Sequence, residues 1–455
     1  MKNGPRGRIG LGEFLGAELR QGYEQPFSDG EKSQTLFRNL WRTPKNLEAL
    51  IAFGFLLCLD TFLFVFTILP IRILVAAVAL AASIARPWAT SIINPAQICD
   101  LVRGFSFVVC FVLLCFIDNS MLYHLVRGQA VIKLYVIHNV LEIGDKLLSS
   151  FNDDVFSALF DLVSTRKPRW WNHLVFAPYF VAATTTVFVH SALVLGQATV
   201  LNVAINSHNK ALLTIMVSNQ FVELKSNAFK RFETNNLFQI SCHDMRERFH
   251  YFVLMGIVLL RNMTELGWNY DHLLELLPIF VGVWMSEVAV DWIKHAFILK
   301  FNNISSEVYR QYRVTLSKDV IKRRQNMALA DQMDVVSRRV GFVPLPLGCV
   351  TFRIVISSIR LVGWSGIFLV VTSYACLFAL KLLASVVLLG IASQSWPGWD
   401  DARGPSTSRY SPSLPAYYPK LPDTPFVRPQ AGTSGKSRLP LDEVNRYTFV
   451  GGSIL

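Results

Sequence analysis

Six ionisable side chains between positions 124 and 146 have the spacing of one face of a helix. On a helical wheel they form a single polar stripe, made of His124, Arg127, His138, Glu142, Asp145 and Lys146. His138, Glu142 and Asp145 follow at i, i+4 and i+7, a spacing that can bring metal ligands together. Glu142 and Lys146 favour an ion pair instead, since opposite charges four residues apart stabilise a helix. We therefore predict no metal or other cofactor, and interpret the stripe as a groove for a partner helix.

Three carboxylates lie inside apolar segments, where a charge is costly and marks a candidate functional site. Asp60 is the only internal acid of the first apolar segment, and Glu287 and Asp291 belong to a later one. The latter two could form an ion or proton pathway, or Asp291 could simply pair with Lys294 or His295. Asp60 is either a charge that pairs with a partner or a carboxyl kept protonated by desolvation.

A polar, basic and aromatic segment at 218–252 separates long apolar regions. Read as a helix, 221–233 has an apolar face rich in phenylalanine and a charged face, which is typical of a helix lying in a membrane interface. The residues predicted to contact headgroups or a partner are Phe221, Lys225, Lys230, Arg231 and Phe232. Asn235 and Asn236 should end this helix, and a weak capping box at Ser241 should open a second one. The residues predicted to shape the turn are Asn236, Phe238, Gln239 and Ser241.

The chain lacks the signatures of the common nucleophilic, metal-dependent and nucleotide-dependent enzymes. No GxSxG, HExxH, Walker A or GxGxxG occurs in the context that it needs. The seven cysteines include no CxxC pair, so no zinc site is indicated. Basic residues beside aromatics, as in KPRWW at 167–171, could bind RNA. Their attachment to apolar segments favours lipid headgroups, so we predict a non-enzymatic protein that contacts membrane lipids and no nucleic acid.

The composition is that of an integral membrane protein. Of 455 residues, 52% are hydrophobic and only 17% are charged, whereas roughly 25% are charged in soluble domains. Apolar segments lie at 47–69, 71–85, 105–117, 174–205, 249–260, 273–293 and 361–392. Several are shorter than the ~20 residues that cross a bilayer. We predict an all-α, polytopic fold with about five to seven transmembrane helices plus interfacial amphipathic helices.

Local signals add expectations about individual segments. The segment 105–117 spans a bilayer only if its helix continues into the residues that follow it, because alone it is too short to cross. GFVPLPLG at 341–348 should not form a regular helix, because it contains two prolines. A tight hairpin around Ser373 would divide 361–392, and Pro278 would kink the segment 273–293.

The membrane domain is predicted to occupy 37–392, between a disordered tail at 1–36 and a disordered Pro/Ser-rich tail at 393–455. Within it, 218–248 is the interfacial amphipathic module. The basic stretch 294–352 is predicted to be a cytosolic connector, because excess lysine and arginine marks cytoplasmic loops. This orientation places the sequon at Asn262 in the lumen and the sequon at Asn303 in the cytosol.

Four blocks of the sequence resemble those of one family. SNQFVELKSNAFKRFETNNLFQISCHDMRERF at 218–249 closely resembles the hallmark segment of the transmembrane anterior-posterior transformation protein family, also described as cytomegalovirus-receptor-like. Three further blocks match in order, within 99–147, at 286–304 (SEVAVDWIKHAFILKFNNI) and at 337–347 (SRRVGFVPLPL). The resemblance covers roughly 37–392.

The resemblance implies a polytopic membrane protein without known catalytic activity. Fungal members look like endoplasmic-reticulum residents, one of which works with a SUN-like membrane partner to protect newly made proteins from degradation. In animals the family is linked to axial skeletal patterning and to cilium formation, near the centrosome or cilium base. It offers no established catalytic residues for this chain.

We therefore predict a scaffold or adaptor of the endoplasmic reticulum membrane that acts with a membrane-protein partner, SUN-like by resemblance. The alternative is a channel or transporter, which requires Glu287, Asp291 and the polar stripe to line one continuous cavity. A third hypothesis, a lipid-modifying enzyme, requires a His/Asp or Ser/His cluster that converges at the interface.

Overall fold

A computed structural model describes residues 12, 15, 16, 30–85, 95–164, 171–206, 234–325, 339–358 and 363–396. Their regular secondary structure is entirely helical, which confirms the predicted all-α class. In chain order the helices are α1 (Gly30–Phe66), α2 (Ile68–Ala85), α3 (Pro95–Cys115), α4 (Asn119–Arg127), α5 (Val131–Ser164), α6 (Trp171–Asn206), α7 (Thr234–Glu265), α8 (Tyr270–Asn302), α9 (Val308–Gln325), α10 (Pro344–Ser358) and α11 (Gly363–Ser395). Of the two predicted disordered tails, 30–36 and 393–395 are instead helical, as parts of α1 and α11, and most of the other tail residues lie outside the described residues.

Five of these helices contain stretches long and apolar enough to cross a membrane, within the predicted range of five to seven. The stretches are Trp41–Phe66, Ala96–Cys115, Phe176–Asn206, Tyr270–Asn302 and Trp364–Ser395. Two shorter apolar helices accompany them in the described part of the chain, at Ile68–Ser83 and Pro344–Ser358. The chain is therefore a multi-pass membrane protein.

The condition that 105–117 spans only by continuing into the following residues is wrong. The third helix gains its length at its other end, since α3 begins at Pro95 and ends at Cys115. Asp118 then caps a separate helix, because its carboxylate accepts a hydrogen bond from the backbone N–H of Ser120 at 2.8 Å. A second break follows at Gly128, so the polar stripe lies on two helices and is not continuous.

Two other expectations about helix boundaries are also wrong. GFVPLPLG enters a helix at Pro344, because proline is tolerated in a first turn, where the missing N–H would have no partner. No hairpin forms at Ser373, which lies inside the single 33-residue helix α11. The basic connector begins only after α8 ends at Asn302, so the buried residues Lys294 and His295 belong to a candidate span.

The predicted break at Asn235 and Asn236 is wrong as well, because α7 runs without interruption from Thr234 to Glu265. Ser241 opens no helix, since its hydroxyl donates to the carbonyl of Leu237 at 2.9 Å and its side chain is buried. The predicted interfacial helix at 221–233 lies outside the described residues and stays a prediction.

Close packing fixes where α1 crosses α7. A Cβ atom added at Gly54 would lie 2.1 Å from the sulfur of Met245, so the helices could not approach this closely with a larger residue. Phe249 extends the contact, with its ring centroid 5.2 Å from that of Phe55 and 5.7 Å from that of Phe62. These rings lie in the main hydrophobic core.

Neighbouring helices differ in direction. α5 and α6 are antiparallel, since Gly144 lies against Leu193 while Gln197 donates to the carbonyl of Leu141 at 3.3 Å. α6 and α7 are parallel instead, because Gln197 bonds to His250 at 2.9 Å and Asn206 bonds to Asn262 at 2.7 Å. Asn206 therefore lies near the end of α7, about 42 Å from Thr234 at 1.5 Å per residue.

This parallel pairing predicts that the two ends of α7 lie on opposite sides of the membrane, because α6 contains a candidate span. In sealed microsomes, Asn235→Cys and Leu266→Cys should react with a membrane-impermeant maleimide from opposite sides. Both substitutions are made with Cys115 and Cys376, the exposed native thiols among the described residues, changed to serine. Labelling of both positions from one side would contradict the arrangement.

Candidate functional site

The strongest buried polar feature joins α1, α7 and α8 through one guanidinium. Arg248 lies at the centre, with Nε 2.8 Å from Oδ2 of Asp291 and Nη1 2.8 Å from Oε1 of Glu48. The side chains of Arg248 and Asp291 are each only 2% exposed. Trp292 holds the same Glu48 oxygen from α8, through a 2.6 Å hydrogen bond from its indole N–H.

A second set of contacts extends this network along the same two faces. Lys294 bridges the carboxylates of Asp244 and Asp291, with Nζ 2.8 Å from an oxygen of each. Nε2 of His295 lies 2.6 Å from Asp244, and its Nδ1 lies 2.8 Å from the hydroxyl of Tyr309 on α9. Burial raises the pKa of Tyr309 well above its usual value, so this hydroxyl stays neutral.

We call Glu48, Asp244, Arg248, Asp291, Lys294 and His295 the ionic core. Helical periodicity creates it, since Asp244 and Arg248 are four residues apart while Asp291, Lys294 and His295 share one face of α8. Each charge is compensated across helices, which is the condition under which buried charges are tolerated. The core therefore fixes the register of α7 on α8 and ties both to α1.

The three predicted intramembrane carboxylates have different surroundings. Asp60 forms an ion pair with Lys381 of α11, and the hydroxyl of Ser385 lies 2.6 Å from the same oxygen. Asp291 pairs with Lys294, which is one of the two alternatives predicted for it. Its contact with Arg248 was not predicted. Glu287 is buried beside the ionic core, with Oε2 unbonded in the described part of the chain.

The polar stripe is only partly brought together. Four of its members line a cavity between α5, α6 and α7. The cavity volume is about 30 Å³, which is room for about two waters. The lining residues are His138, Glu142, Asp145, Lys146, Gln197, Leu201, His243, Arg246, Glu247, His250, Tyr251 and Leu254. His124 and Arg127 are exposed on α4 instead. The groove is thus covered by the chain's own α6 and α7.

Hydrogen bonds hold the cavity walls in place. Asp145 lies 2.9 Å from Nε2 of His190, and Lys146 pairs with Glu142 at 2.8 Å as predicted. Burial lowers the pKa of His138, against the opposing effect of Glu142, which favours a neutral imidazole. Among the described residues, no three His, Cys, Asp or Glu side chains have the arrangement of a metal site.

The residues predicted for the interfacial module have separate outcomes. Five of them, namely Phe221, Lys225, Lys230, Arg231 and Phe232, lie outside the described residues. Asn236 and Gln239 are exposed near the start of α7. Phe238 packs on Tyr312 with ring centroids 5.0 Å apart, and Ser241 is buried, so both contribute to internal packing. Contact with an external partner through these positions stays a prediction.

Sequence reasoning missed the residues that complete the charged sets: Glu48, Asp244, Arg248 and Lys381. The charged face of α8 was visible, but its main partners are distant in sequence, with Arg248 200 positions from Glu48. A signal was present in α7, where an acid and a base four residues apart precede an apolar run. This pattern marks a charged helix face that requires partners when the helix is buried.

Removal of the Arg248 guanidinium should be strongly destabilising. Arg248→Met leaves Glu48 and Asp291 without their shared partner, which should cost about 3–5 kcal/mol. Arg310→Met is the matched control, because the Arg310–Glu307 pair is largely exposed and should contribute no more than about 1 kcal/mol. Unfolding of both purified variants in detergent tests this, and equal losses would contradict it.

The pair between Asp60 and Lys381 allows a cleaner measurement, because it lies apart from the ionic core. Lys381→Met should destabilise the protein by about 3 kcal/mol, since a buried carboxylate loses its counter-charge. Adding Asp60→Leu should recover most of that loss. A double-mutant cycle gives the coupling energy directly. Additive effects of the two substitutions would show that the pair does not interact.

Comparison with known proteins gives one consistent result. The sequence profile of a family described as a eukaryotic membrane protein family matches residues 93–396. The chain is 47% identical over 386 residues to the transmembrane anterior posterior transformation protein 1 homolog of Danio rerio, covering 84% of this chain and 68% of that protein. The Homo sapiens homolog is 46% identical over 395 residues, covering 86% and 70%.

More distant relatives extend the match beyond vertebrates. The protein TAPT1 homolog of Dictyostelium discoideum is 42% identical over 405 residues, covering 85% of this chain and 48% of that protein. No solved structure matches the chain. The matched region includes α3 to α11, and therefore nearly all of the ionic core and the whole cavity. The chain belongs to the transmembrane anterior posterior transformation protein 1 family of eukaryotic membrane proteins.

Proposed function

We propose that this protein is a non-enzymatic, multi-pass scaffold or adaptor of the endoplasmic reticulum membrane. The observation that carries the proposal is the use of its buried charges. Arg248, Lys294 and Lys381 each bind carboxylates of other helices and thereby hold the bundle in one arrangement. A bundle locked in this way offers fixed outer faces to neighbouring lipids and proteins.

The outer faces of two spanning helices are well suited to such contacts. In the most apolar stretch of each helix, only 28% of the residues of α8 and 22% of those of α11 are buried inside the chain. Large side chains such as Trp364, Phe368 and Leu383 are exposed by 60% or more. Lipid tails or helices of a membrane-protein partner would cover these surfaces, because contact with either one keeps the apolar side chains out of water.

The channel or transporter hypothesis has less support from the same contacts. It needs Glu287, Asp291 and the polar stripe to line one cavity. Of these residues, only the four stripe members on α5 line the described cavity. Asp291 is instead enclosed by Arg248 and Lys294. Within the described residues, the intramembrane carboxylates and the cavity are thus separate features.

The lipid-modifying enzyme hypothesis requires a His/Asp or Ser/His cluster at the interface, and the structure meets this requirement only in part. His190 and Asp145 form a His/Asp pair at the cavity, 2.9 Å apart. No serine, threonine or cysteine is among the lining residues, so the described cavity wall lacks the Ser/His cluster that this hypothesis names as its alternative. We therefore retain a structural role for His190 and His250, whose bonds to Asp145 and Gln197 join α5, α6 and α7.

The cellular role that we propose follows the family resemblance. In the endoplasmic reticulum the scaffold would act with a SUN-like membrane protein to protect newly made proteins. In an animal it would serve cilium formation and axial patterning, with a place near the centrosome or cilium base. The names of the vertebrate relatives, which refer to anterior posterior transformation, agree with the developmental part of this proposal.

Charge reversal tests the scaffold hypothesis. The double variant Lys230→Glu and Arg231→Glu should lose a co-purifying membrane partner while its insertion and expression remain normal, because these cations are predicted to form the contact. The matched control reverses Lys300 and Arg310, which are exposed cations on α8 and α9. Proximity labelling followed by quantitative mass spectrometry measures the partner. An unchanged set of labelled proteins in the Lys230/Arg231 variant would argue against the scaffold.

A further inference from the structure

One buried guanidinium lacks the compensation that the ionic core provides. Arg353 of α10 is 93% buried, since its exposed fraction is 7%. Its Nη2 donates to the carbonyl of Ile117, but its buried Nη1 has no acceptor. A buried donor on a charged group that stays unbonded is expensive, so this position has an unmet requirement for an acceptor.

Two further arginines contact α4, the helix that follows the short turn containing Ile117. Arg261 of α7 reaches the carbonyl of Asn119 at 3.5 Å, only two residues from the carbonyl that Arg353 contacts. Its guanidinium also lies 5.8 Å from the ring centroid of Tyr123. Arg127 packs on that ring as well, at 5.9 Å. Arg353 and Arg261, from helices distant in sequence, thus meet at the start of α4, and the Tyr123 ring links Arg261 to Arg127.

The charges at this place do not balance. Glu265 pairs with Arg261 at 2.9 Å, and Asp118 caps α4. Three guanidiniums against these two carboxylates leave a net charge of +1. Burial lowers the pKa of Arg353, with repulsion from Arg261 adding to this effect and with Cys115 and Asp118 opposing it. The N-terminus of α4 adds further positive potential.

The surroundings are those of a membrane interface. The turn that binds Arg353 directly follows the candidate span that ends at Cys115, and another candidate span begins at Tyr270, next to the end of α7. Aromatic side chains at these ends are strongly exposed: Phe116 by 81%, Trp268 by 60% and Tyr270 by 66%. Exposed aromatics at span ends occupy the headgroup level of a bilayer.

We propose that Arg353, Arg261 and Arg127 form a binding site for the phosphate group of a phospholipid headgroup. The phosphate oxygens supply the acceptor that Nη1 of Arg353 lacks and neutralise the excess positive charge. The exposed apolar residues around the turn, among them Met121 and Leu266, lie where the acyl chains would continue. The site holds a lipid against α3, α4, α7 and α10, at a place distinct from both the ionic core and the cavity.

The test measures thermal unfolding of the full chain in mild detergent while one of three probes is titrated. The probes are dihexanoyl-phosphatidylglycerol, dihexanoylglycerol without phosphate, and inorganic phosphate. The phospholipid alone should raise the unfolding temperature of the wild type. In Arg353→Gln its apparent affinity should fall at least about tenfold, as expected for loss of hydrogen bonds to a charged group. Arg310→Gln, an exposed control on α9, should bind like the wild type.

Each other outcome has a defined meaning. Equal stabilisation by phosphate-free dihexanoylglycerol, or unchanged affinity in Arg353→Gln, would overturn the site. Equally tight binding of inorganic phosphate would overturn its assignment to a lipid. If Arg353→Gln does not fold, Arg127→Gln and Arg261→Gln decide the question, because Arg127 is exposed and Arg261 is partly exposed. Both substitutions should lower the apparent affinity for the phospholipid by at least about threefold. Wild-type affinity in both variants would refute the proposal.

Discussion

The structure depends on the placement of one arginine. Arg248 lies between Glu48 and Asp291 with almost no contact with solvent, so the consecutive helices α7 and α8 must meet the sequence-distant α1 at its guanidinium. Loss of Arg248 would leave Glu48 without its cation and Asp291 with Lys294 alone, and removing one member of a buried ionic network is strongly destabilising. This requirement specifies the arrangement of α1, α7 and α8 more strictly than apolar packing could.

The same principle separates the polar features of the bundle by role. Charges that are fully paired, as in the ionic core and the Asp60–Lys381 pair, hold helices in place. The cavity between α5, α6 and α7 has room for water, and His250 in its lining bonds to Gln197 of the neighbouring α6. Arg353 differs from Arg248, because its guanidinium donates to a backbone carbonyl and not to a carboxylate, and we propose that its unbonded Nη1 binds a ligand from outside the chain. A locked bundle with an interfacial lipid site fits a scaffold in a membrane.

Sequence reasoning gave the class but not the contacts. Length and hydrophobicity were sufficient for the all-α membrane fold, and the i,i+4 rule was sufficient for the pair between Glu142 and Lys146. It failed where a tertiary context overrode a local signal: Pro344 starts a buried helix, and Asn235 and Asn236 do not interrupt α7. Partners such as Lys381 for Asp60, 321 residues apart, leave no local pattern, because only folding makes them neighbours.

Hydrogen exchange measured by mass spectrometry on the detergent-purified full chain tests most directly whether the ionic core locks the bundle. Amide groups around Arg248 in α7 and Asp291 in α8 should be among the slowest to exchange, because they open only when the whole bundle opens. The exposed helix α4 and the start of α7 at Asn235 should exchange much faster. Exchange around Arg248 as fast as in α4 would contradict the account, since it would show that the charged contacts do not hold these helices together.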